Sequence, residues 1–516
     1  MEGTIWAFLP AVIAIALALL TKQVYISLFF GIFVGAMMYA GGDPFKAMFT
    51  LYQVMSEKVG GNTPIIVFLV VLGILVVLMQ KSGGAKAYGE WAGQKIKTKG
   101  GALAATAGLG CLIFVDDYFN CLTVGSVMRP VTDKFKVSRA KLAYIIDATA
   151  APVCIIAPIS SWAAAVAGEL EGDGLMVFIS TIPYNVYALL TLVMVFTLCF
   201  LKFDFAKMKR NEQIAEETGD LHAGEAENGE KSAEVTVNPK GKVRHLIIPV
   251  IILIVCCIGG MLYTGFFYNW DTGLIDTELQ SANFIEAFSN CDAGMSLAIG
   301  STVALFIIAV YYMIARVVSF KEITGSFTEG FKAMVPAILI LTFAWSISGI
   351  MGAKGGYLDA QAFVETHLAN SAFPQFLFPA IFFVLACAIA FSTGTSWGTF
   401  GVLVPIAVTI LGGSGTMALL TVSATLGGAV YGDHVSPISD TTILASAGAQ
   451  CNHVDHVKTQ LPYASLVAAI AAVSYVIAGL CASLGGVLCC VVMWVVALAL
   501  FAGAVLVIKA KAKKSE

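Results

Sequence analysis

The sequence predicts an all-α polytopic membrane protein of about 11 full spans, arranged as an inverted-topology repeat with two re-entrant hairpins and two broken helices. Three observations predict it. The 516 residues are 58% hydrophobic and 12% charged, with a mean hydropathy of +0.85, where a soluble chain carries about 25% charged residues. Segments such as "PIIVFLVVLGILVVLM" and "VVMWVVALALFAGAVLVI" are long enough to cross a hydrocarbon core of about 30 Å. The basic residues fall almost entirely on one side of a consistent threading, which says more than the net charge of −3.

Full spans fall at 5–20, 24–40, 63–80, 140–167, 175–201, 245–268, 295–315, 334–352, 415–450, 461–483 and 486–508. Two further apolar stretches, 101–130 and 374–412, carry "VDDYFN" and "STGTSWGT" at their middle. Both read as hairpins that enter and leave on the same side, since irregular backbone at that depth must be covered by protein or line a cavity. With the N-terminus outside and the C-terminus cytoplasmic, all but Lys46, Lys58 and Lys354 of the 30 Lys and Arg residues are cytoplasmic. Deleting either hairpin, or making it a single crossing, destroys this bias. Met1–Pro10 lacks a basic start and runs into a full-length apolar segment, so no cleavable signal is expected. There is no CxxC pair, and most of the 12 cysteines lie in apolar runs, as buried small hydrophobes do.

Residues 202–244 differ in kind. "KRNEQIAEETGDLHAGEAENGEKSAEVTVNPKGK" is polar and mixed in charge, so it is expected to be a disordered cytoplasmic linker. It divides a first repeat, 1–201, from a second, 245–483, and 484–516 adds a C-terminal helix and a basic tail. "PIIVFLVVLGILVVLMQKSGG" from Pro64 aligns without a gap with "PAILILTFAWSISGIMGAKGG" from Pro336. "FVDDYFN" at Phe114 aligns with "FSTGTSW" at Phe391, and "APISSW" at Ala157 with "SPISDT" at Ser436. Each half holds five full spans and one hairpin. Five is odd, so the second half is inverted, as in secondary transporters whose discontinuous helices meet near the midplane.

The stretch "VYGDHVSPISDTTILAS", 430–446, is therefore polar for a reason. Gly432 and Pro437 bracket a segment that cannot stay a regular helix. Unwinding frees carbonyls, half-helix ends add partial charges, and hydroxyls and carboxylates supply hard oxygens for a small hard cation. "TAAPVCIIAPISS" plays the mirrored part through Pro152 and Pro158.

At these residues the sequence resembles a known family. "STGTSWGTFGVLVPIA" with "GAVYGDHVSPISDTTILAS" is similar to the NhaC-type sodium/proton antiporters of bacteria, across roughly 1–483. More distantly it resembles the ion-transporter superfamily of two-hairpin carriers. The resemblance implies a bacterial cytoplasmic (inner) membrane protein, usually a homodimer in which a transport domain moves elevator-fashion against a scaffold. The family includes or borders exchangers that couple cations to organic acids or amino acids, so it fixes the class better than the substrate.

The candidate cation- and proton-binding residues are Asp116, Asp117, Asn120, Asp147, Ser160, Ser161, Thr395, Ser396, Asp433, Ser436, Ser439 and Asp440. A carboxylate at membrane depth costs at least about 2.5 kcal/mol on insertion scales and defaults to function. Against that, Asp116 or Asp117 could cap the returning arm, Asn120 could cap rather than ligate, and Asp440 could open the second half-helix. Asp433 and Asp440 are two turns apart on an unbroken helix; a break at Pro437 lets them converge, with Thr395, on a sodium ion. Asp147 is either a proton carrier or a structural hydrogen-bonding group. His434 is a candidate proton or substrate contact. His453 and His456 in "CNHVDH" read as a solvated loop, and Trp162, Trp345 and Trp397 as packing residues.

The function expected is sodium/proton antiport, since one carboxylate cannot hold a sodium ion and a proton together. The alternative is a sodium- or proton-coupled carrier or exchanger of a small organic acid or amino acid. Neither is an enzyme, and neither needs a cofactor or nucleic acid; the partners are Na+, H+, membrane lipid and, in the alternative, the organic substrate. An intramembrane aspartyl protease would want GxGD, but Val430 stands two before Gly432. Two occluding hairpins disfavour a channel.

Overall fold

A computed structural model describes residues 3–21, 23–170, 174–201, 204–224, 238–269, 274–276, 278–289, 291–351, 357–363, 374–411 and 415–514. Helix dominates because an apolar segment in lipid must close its backbone hydrogen bonds within itself. The chain spans the membrane several times. Six described helices are long and apolar enough to cross, and up to nine if three bent pairs each count as one span.

α1 (Leu9–Thr21) packs on α2 (Val24–Tyr39), and α3 (Pro44–Gly61) leaves α2 at 119°. Asp43 caps α3 by accepting the N–H groups of Phe45 and Lys46, and Pro44 occupies the first position. The region between the second and third expected spans is thus an amphipathic helix: Ala47, Leu51 and Val54 are buried, while Phe45, Phe49 and Tyr52 are exposed. α4 (Thr63–Lys81) and α5 (Gly84–Lys95) follow. α6 (Lys99–Leu112) and α7 (Asp117–Lys134) pack together as the first hairpin. The expected broken span at 140–167 is three pieces, α8 (Arg139–Ala148), α9 (Ala151–Cys154) and α10 (Ser161–Ala167). α11 (Gly174–Thr181) and α12 (Val186–Phe200) meet at a 50° bend beside Pro183.

The expected linker contains a further helix, α13 (Ala206–Thr218), so disorder across 202–244 is corrected for that part; 202, 203 and 225–237 lie outside the described residues. Other segments supply the partners for its charged side chains. Glu212 accepts the N–H of Ser138 (2.8 Å) and pairs with Lys99 (2.7 Å) and Lys141 (3.7 Å). Asn211 and Lys207 both reach Asp455, at 2.7 and 2.5 Å. Burial pushes the Glu212 carboxyl up, but the Lys141 and Lys99 ammoniums outweigh it and hold the group below the usual glutamate range.

α14 (Arg244–Phe267) leads into a short antiparallel pair, β1 (Tyr268–Asn269) with β2 (Leu274–Ile275), then α15 (Phe284–Ser289) and α16 (Ala293–Ile314). α17 (Phe320–Met351) begins well before the expected 334–352 span and bends at Pro336. After α18 (Ala360–Phe363), α19 (Phe378–Thr393) and α20 (Ser396–Leu411) form the second hairpin. α21 (Thr416–Val435) and α22 (Asp440–Ala449) are the second broken span, and α23 (His453–Cys481) and α24 (Gly486–Lys514) complete the chain.

Two close approaches hold the second hairpin against this break. Gly428 and Gly432 lie one turn apart on α21, and a Cβ on either would strike an α19 carbonyl, of Phe383 or Cys387. Small residues at that spacing let two helix backbones meet, the packing that lipid-embedded helices favour. Gly394 ends α19 with φ +68°, and a Cβ there would strike the Ile438 carbonyl. The hairpin tip therefore sits directly on the break.

Candidate functional site

The first tip is built by capping. Asp116 has extended backbone (φ −155°, ψ 136°), and its Oδ1 accepts the Phe119 N–H (2.9 Å), which starts α7. Its Oδ2 accepts the Ser161 hydroxyl (3.4 Å), and the Ser161 N–H donates to the Val115 carbonyl (3.0 Å). Asp117 accepts the Trp162 indole N–H (3.2 Å). Trp162, expected only to pack, is thus a partner of a site carboxylate. Asn120 donates to the carbonyls of Gly110 (2.7 Å), Ile113 (3.0 Å) and Thr149 (2.9 Å), tying both hairpin arms to the break after α8. Ser160 caps α10 by accepting the Ala163 N–H, and its one hydroxyl hydrogen is shared between the Cys154 and Ala157 carbonyls.

The second tip repeats the pattern. The Ser396 hydroxyl donates to Asp433 Oδ2 in a short hydrogen bond, and Ser439 lies close to the same carboxylate. The Ser436 hydroxyl donates to the Phe391 carbonyl (2.7 Å), and the Ser436 N–H to the Asp433 carbonyl (2.9 Å). Ser439 caps α22 by accepting the Thr442 N–H (3.3 Å). Two expectations are corrected here. Thr395 accepts the Gly398 N–H at the start of α20, and Ser396, its neighbour, reaches Asp433 instead. Asp440 is exposed in the first turn of α22, so it does not share a buried ligand set with Asp433. The half-helix after Pro437 turns it away because Ser439, not Asp440, takes the cap.

Asp116, Asp117 and Asp433 are 2%, 1% and 4% exposed. Asp117 lies within Coulombic range of both Asp116 and Asp433. No Lys or Arg pairs with any of the three among the described residues, and Asp433 Oδ1 has no hydrogen-bond partner there. Uncompensated carboxylates in so dry a place must be neutralised by protons or a bound cation. Beside them Trp162 packs on Trp397 (5.6 Å) and Phe400 (5.3 Å).

A second buried network lies on the other side of Asp433. Asp147 Oδ2 is 3.2 Å from His456 Nε2 and 3.9 Å from His434 Nε2, and it accepts the Gln460 amide (3.0 Å). His434 Nδ1 meets the Tyr187 hydroxyl (2.9 Å), its ring stacks on Tyr144, and its carbonyl accepts from Gln460. His456 is 0% exposed, which corrects the solvated-loop expectation, and Gln460 went unnoticed. A signal was present: His456, Thr459, Gln460 and Tyr463 sit at helical spacing and continue into the apolar stripe of α23. His453 bridges Ser446 Oγ (3.1 Å) and the Pro437 carbonyl (2.7 Å). Among the described residues, no group of three or more His, Cys, Asp or Glu could hold a metal ion.

A family model described as the Na+/H+ antiporter family matches residues 163–480. The match takes in Ser396 and Asp433 but not the first tip. An uncharacterized protein of Haemophilus influenzae is 39% identical over 498 residues, 93% of this chain and 91% of the relative. A malate-2H(+)/Na(+)-lactate antiporter of Bacillus subtilis is 31% identical over 166 residues, 31% of this chain and 33% of that one. Among solved structures, the YdaH transporter of Alcanivorax borkumensis aligns over 85% of this chain and 89% of its own, with a TM-score of 0.52 at 15% identity. That likeness is one of fold alone.

Proposed function

The chain belongs to the Na+/H+ antiporter family, and from that premise we propose that it exchanges Na+ for H+ across a bacterial cytoplasmic membrane, with its N-terminus outside and its C-terminus cytoplasmic. The observation that carries the proposal is the cluster of Asp116, Asp117 and Asp433, buried without a basic partner among the described residues. Sodium would use the unpartnered Oδ1 of Asp433, with hydroxyls of Ser396 and Ser439 at hand. Protons and sodium then contest the same oxygens, and competition couples the two fluxes.

In this proposal the two hairpins are inverted counterparts, each docked on its own break by a hydroxyl-to-tip contact. Such docking supports elevator-type movement of both hairpins and breaks against α4, α14, α16 and α17. The exposed apolar side chains of α14 and α24, such as Val255 and Val491, would face lipid, and a homodimer is the proposed assembly. The test is transport in proteoliposomes under imposed sodium and pH gradients. Sodium uptake driven by an acid interior and sodium efflux driven by an acid exterior support antiport, and the absence of both sinks it.

One observation favours a small organic acid or amino acid as additional cargo. Trp162, Trp397 and Phe400 form an aromatic wall beside the carboxylates, and the Trp397 indole N–H is buried without a partner among the described residues. Repeating the flux measurement with and without organic acids and amino acids separates the two proposals.

A further inference from the structure

We propose that Glu169 is a proton-binding station on the outer side of the carrier, separate from the carboxylates at the two tips. Glu169 immediately follows the end of α10 at Gly168 and is 7% exposed. Neither carboxyl oxygen has a hydrogen-bond partner among the described residues. The side chain caps no helix among the described residues. Oε1 lies 3.9 Å from where a Cβ on Gly401 of α20 would stand, beside Ala344 of α17. The Trp345 indole nitrogen, itself buried and unpartnered among the described residues, stands 3.0 Å from a Cβ placed on Gly168, next to Ile65 of α4.

A charged carboxylate there would bear its full desolvation cost with nothing to offset it. A sodium ion wants several oxygens, and Ala344 and Gly401, beside Oε1, offer no side-chain oxygen. A proton needs only the carboxyl itself. The charged group within Coulombic range is Lys58, exposed on α3. On the α16 side, Asp292 is occupied with the Met295 N–H. α4, α17 and α20 present no titratable side chain at the contacts named, and Glu171 and Asp173 lie outside the described residues.

The position suits a relay. Eight residues separate Ser161, at the first tip, from Glu169, which is about 12 Å along helical chain. α10 also packs on α4, α16 and α20. Glu169 thus stands where the second hairpin's outer arm meets α17, and sliding α20 against α17 would wet the carboxyl so that it exchanges its proton with external water.

The inference rests on proton-coupled transport, so one measurement must not depend on flux. Infrared difference spectra of the purified protein at neutral pH should lose a carboxylic-acid C=O band in Glu169→Gln. In proteoliposomes, with 22Na+ as probe and internal pH fixed, Glu169→Gln should flatten the dependence of flux on external pH at least tenfold, while sodium binding stays within about twofold. Lys58→Met leaves the site intact and should move the external-pH midpoint to higher pH, since an ammonium no longer opposes the proton. A wild-type external-pH profile in Glu169→Gln, a Lys58→Met midpoint unmoved or shifted to lower pH, or an unchanged infrared band overturns the proposal. A wild-type protein without any proton-driven sodium flux sinks antiport instead, and the band then decides Glu169 by itself.

Discussion

Asp433→Asn removes one charge and almost no volume. The carboxylate is 4% exposed, accepts from Ser396, and leaves Oδ1 unpartnered among the described residues. Asn keeps an acceptor for the Ser396 hydroxyl, and it relieves an uncompensated buried charge, so folding should be unharmed or slightly favoured. Cation binding should suffer heavily. A unit charge lost at about 4 Å is worth about 4 kcal/mol at an effective dielectric constant of about 20, which is a weakening of about a thousandfold. Calorimetric titration with NaCl at several pH values reads both consequences. Wild-type affinity should fall as pH falls, because protons occupy the same oxygens, and the variant should show no saturable binding while keeping the wild-type unfolding temperature. Sodium affinity within threefold of wild type in Asp433→Asn would refute the assignment and move the charge to Asp117 or Asp116. A wild-type affinity flat with pH would refute competition itself and promote the organic-substrate carrier.

Single cysteines at Phe114 and Ser392, in a cysteine-free background, should react from the cytoplasm and the outside respectively; labelling of both from one side only removes the inverted arrangement. His456→Leu leaves the Asp147 carboxylate short of a partner in a dry site and should cost about 3 kcal/mol of stability, read as a lower unfolding temperature in detergent; an unchanged temperature means that the contact is dispensable. Glu212→Gln should loosen α13, seen as faster hydrogen exchange over 206–218. In the wild type the carboxyl is held below its ordinary value, so its contribution is present above about pH 4.3 and is lost only as pH falls below that; loosening between pH 6 and 8 would contradict this sign. Deleting residues within 225–237 should leave transport intact, because the closure free energy of a connection depends only weakly on its length, whereas deleting 206–218 should not; equal tolerance of both deletions would make α13 a passive tether.

Much of this was legible because breaks in apolar runs are local. Pro152, Pro158 and Pro437 stand at or beside the breaks, and "VDDYFN" or "STGTSW" cannot continue a span, whereas α21 runs through Gly432 and ends only at Val435. What stayed hidden depends on partners far away in the chain. α13 reads as disordered on its own charges, but Lys99, Lys141 and Asp455 from three other segments complete it. α3 is too polar for a span, though Ala47, Leu51 and Val54 recur at helical spacing. His456 was judged by its polar neighbours 452–458, when the residues that decide its burial lie on α8 and α21.

The same distinction separates binding residues from fastenings at the site. Asn120, Ser160, Ser436 and Asp433 are all polar groups in a break or a tip, and sequence position ranks them alike. The structure ranks them by saturation. The Ser160 hydroxyl is used by Cys154, Ala157 and Ala163, that of Ser436 reaches Phe391, and the Asn120 amide nitrogen serves three carbonyls. Moving any of these groups to an ion would undo the tip it holds, whereas Ser396 and Ser439 already lie against Asp433. Among the described residues Asp433 keeps an oxygen without a hydrogen-bond partner, and so does Asn120 at Oδ1. Asn120→Asp should therefore add a fourth carboxylate to the cluster and cost folding through repulsion, whereas Ser160→Ala should cost about 1 kcal/mol as a lost cap and leave sodium affinity unchanged. A sodium titration of Ser160→Ala that shows tenfold weaker binding would mean that hydrogen-bond saturation is a poor guide to which oxygens the ion takes.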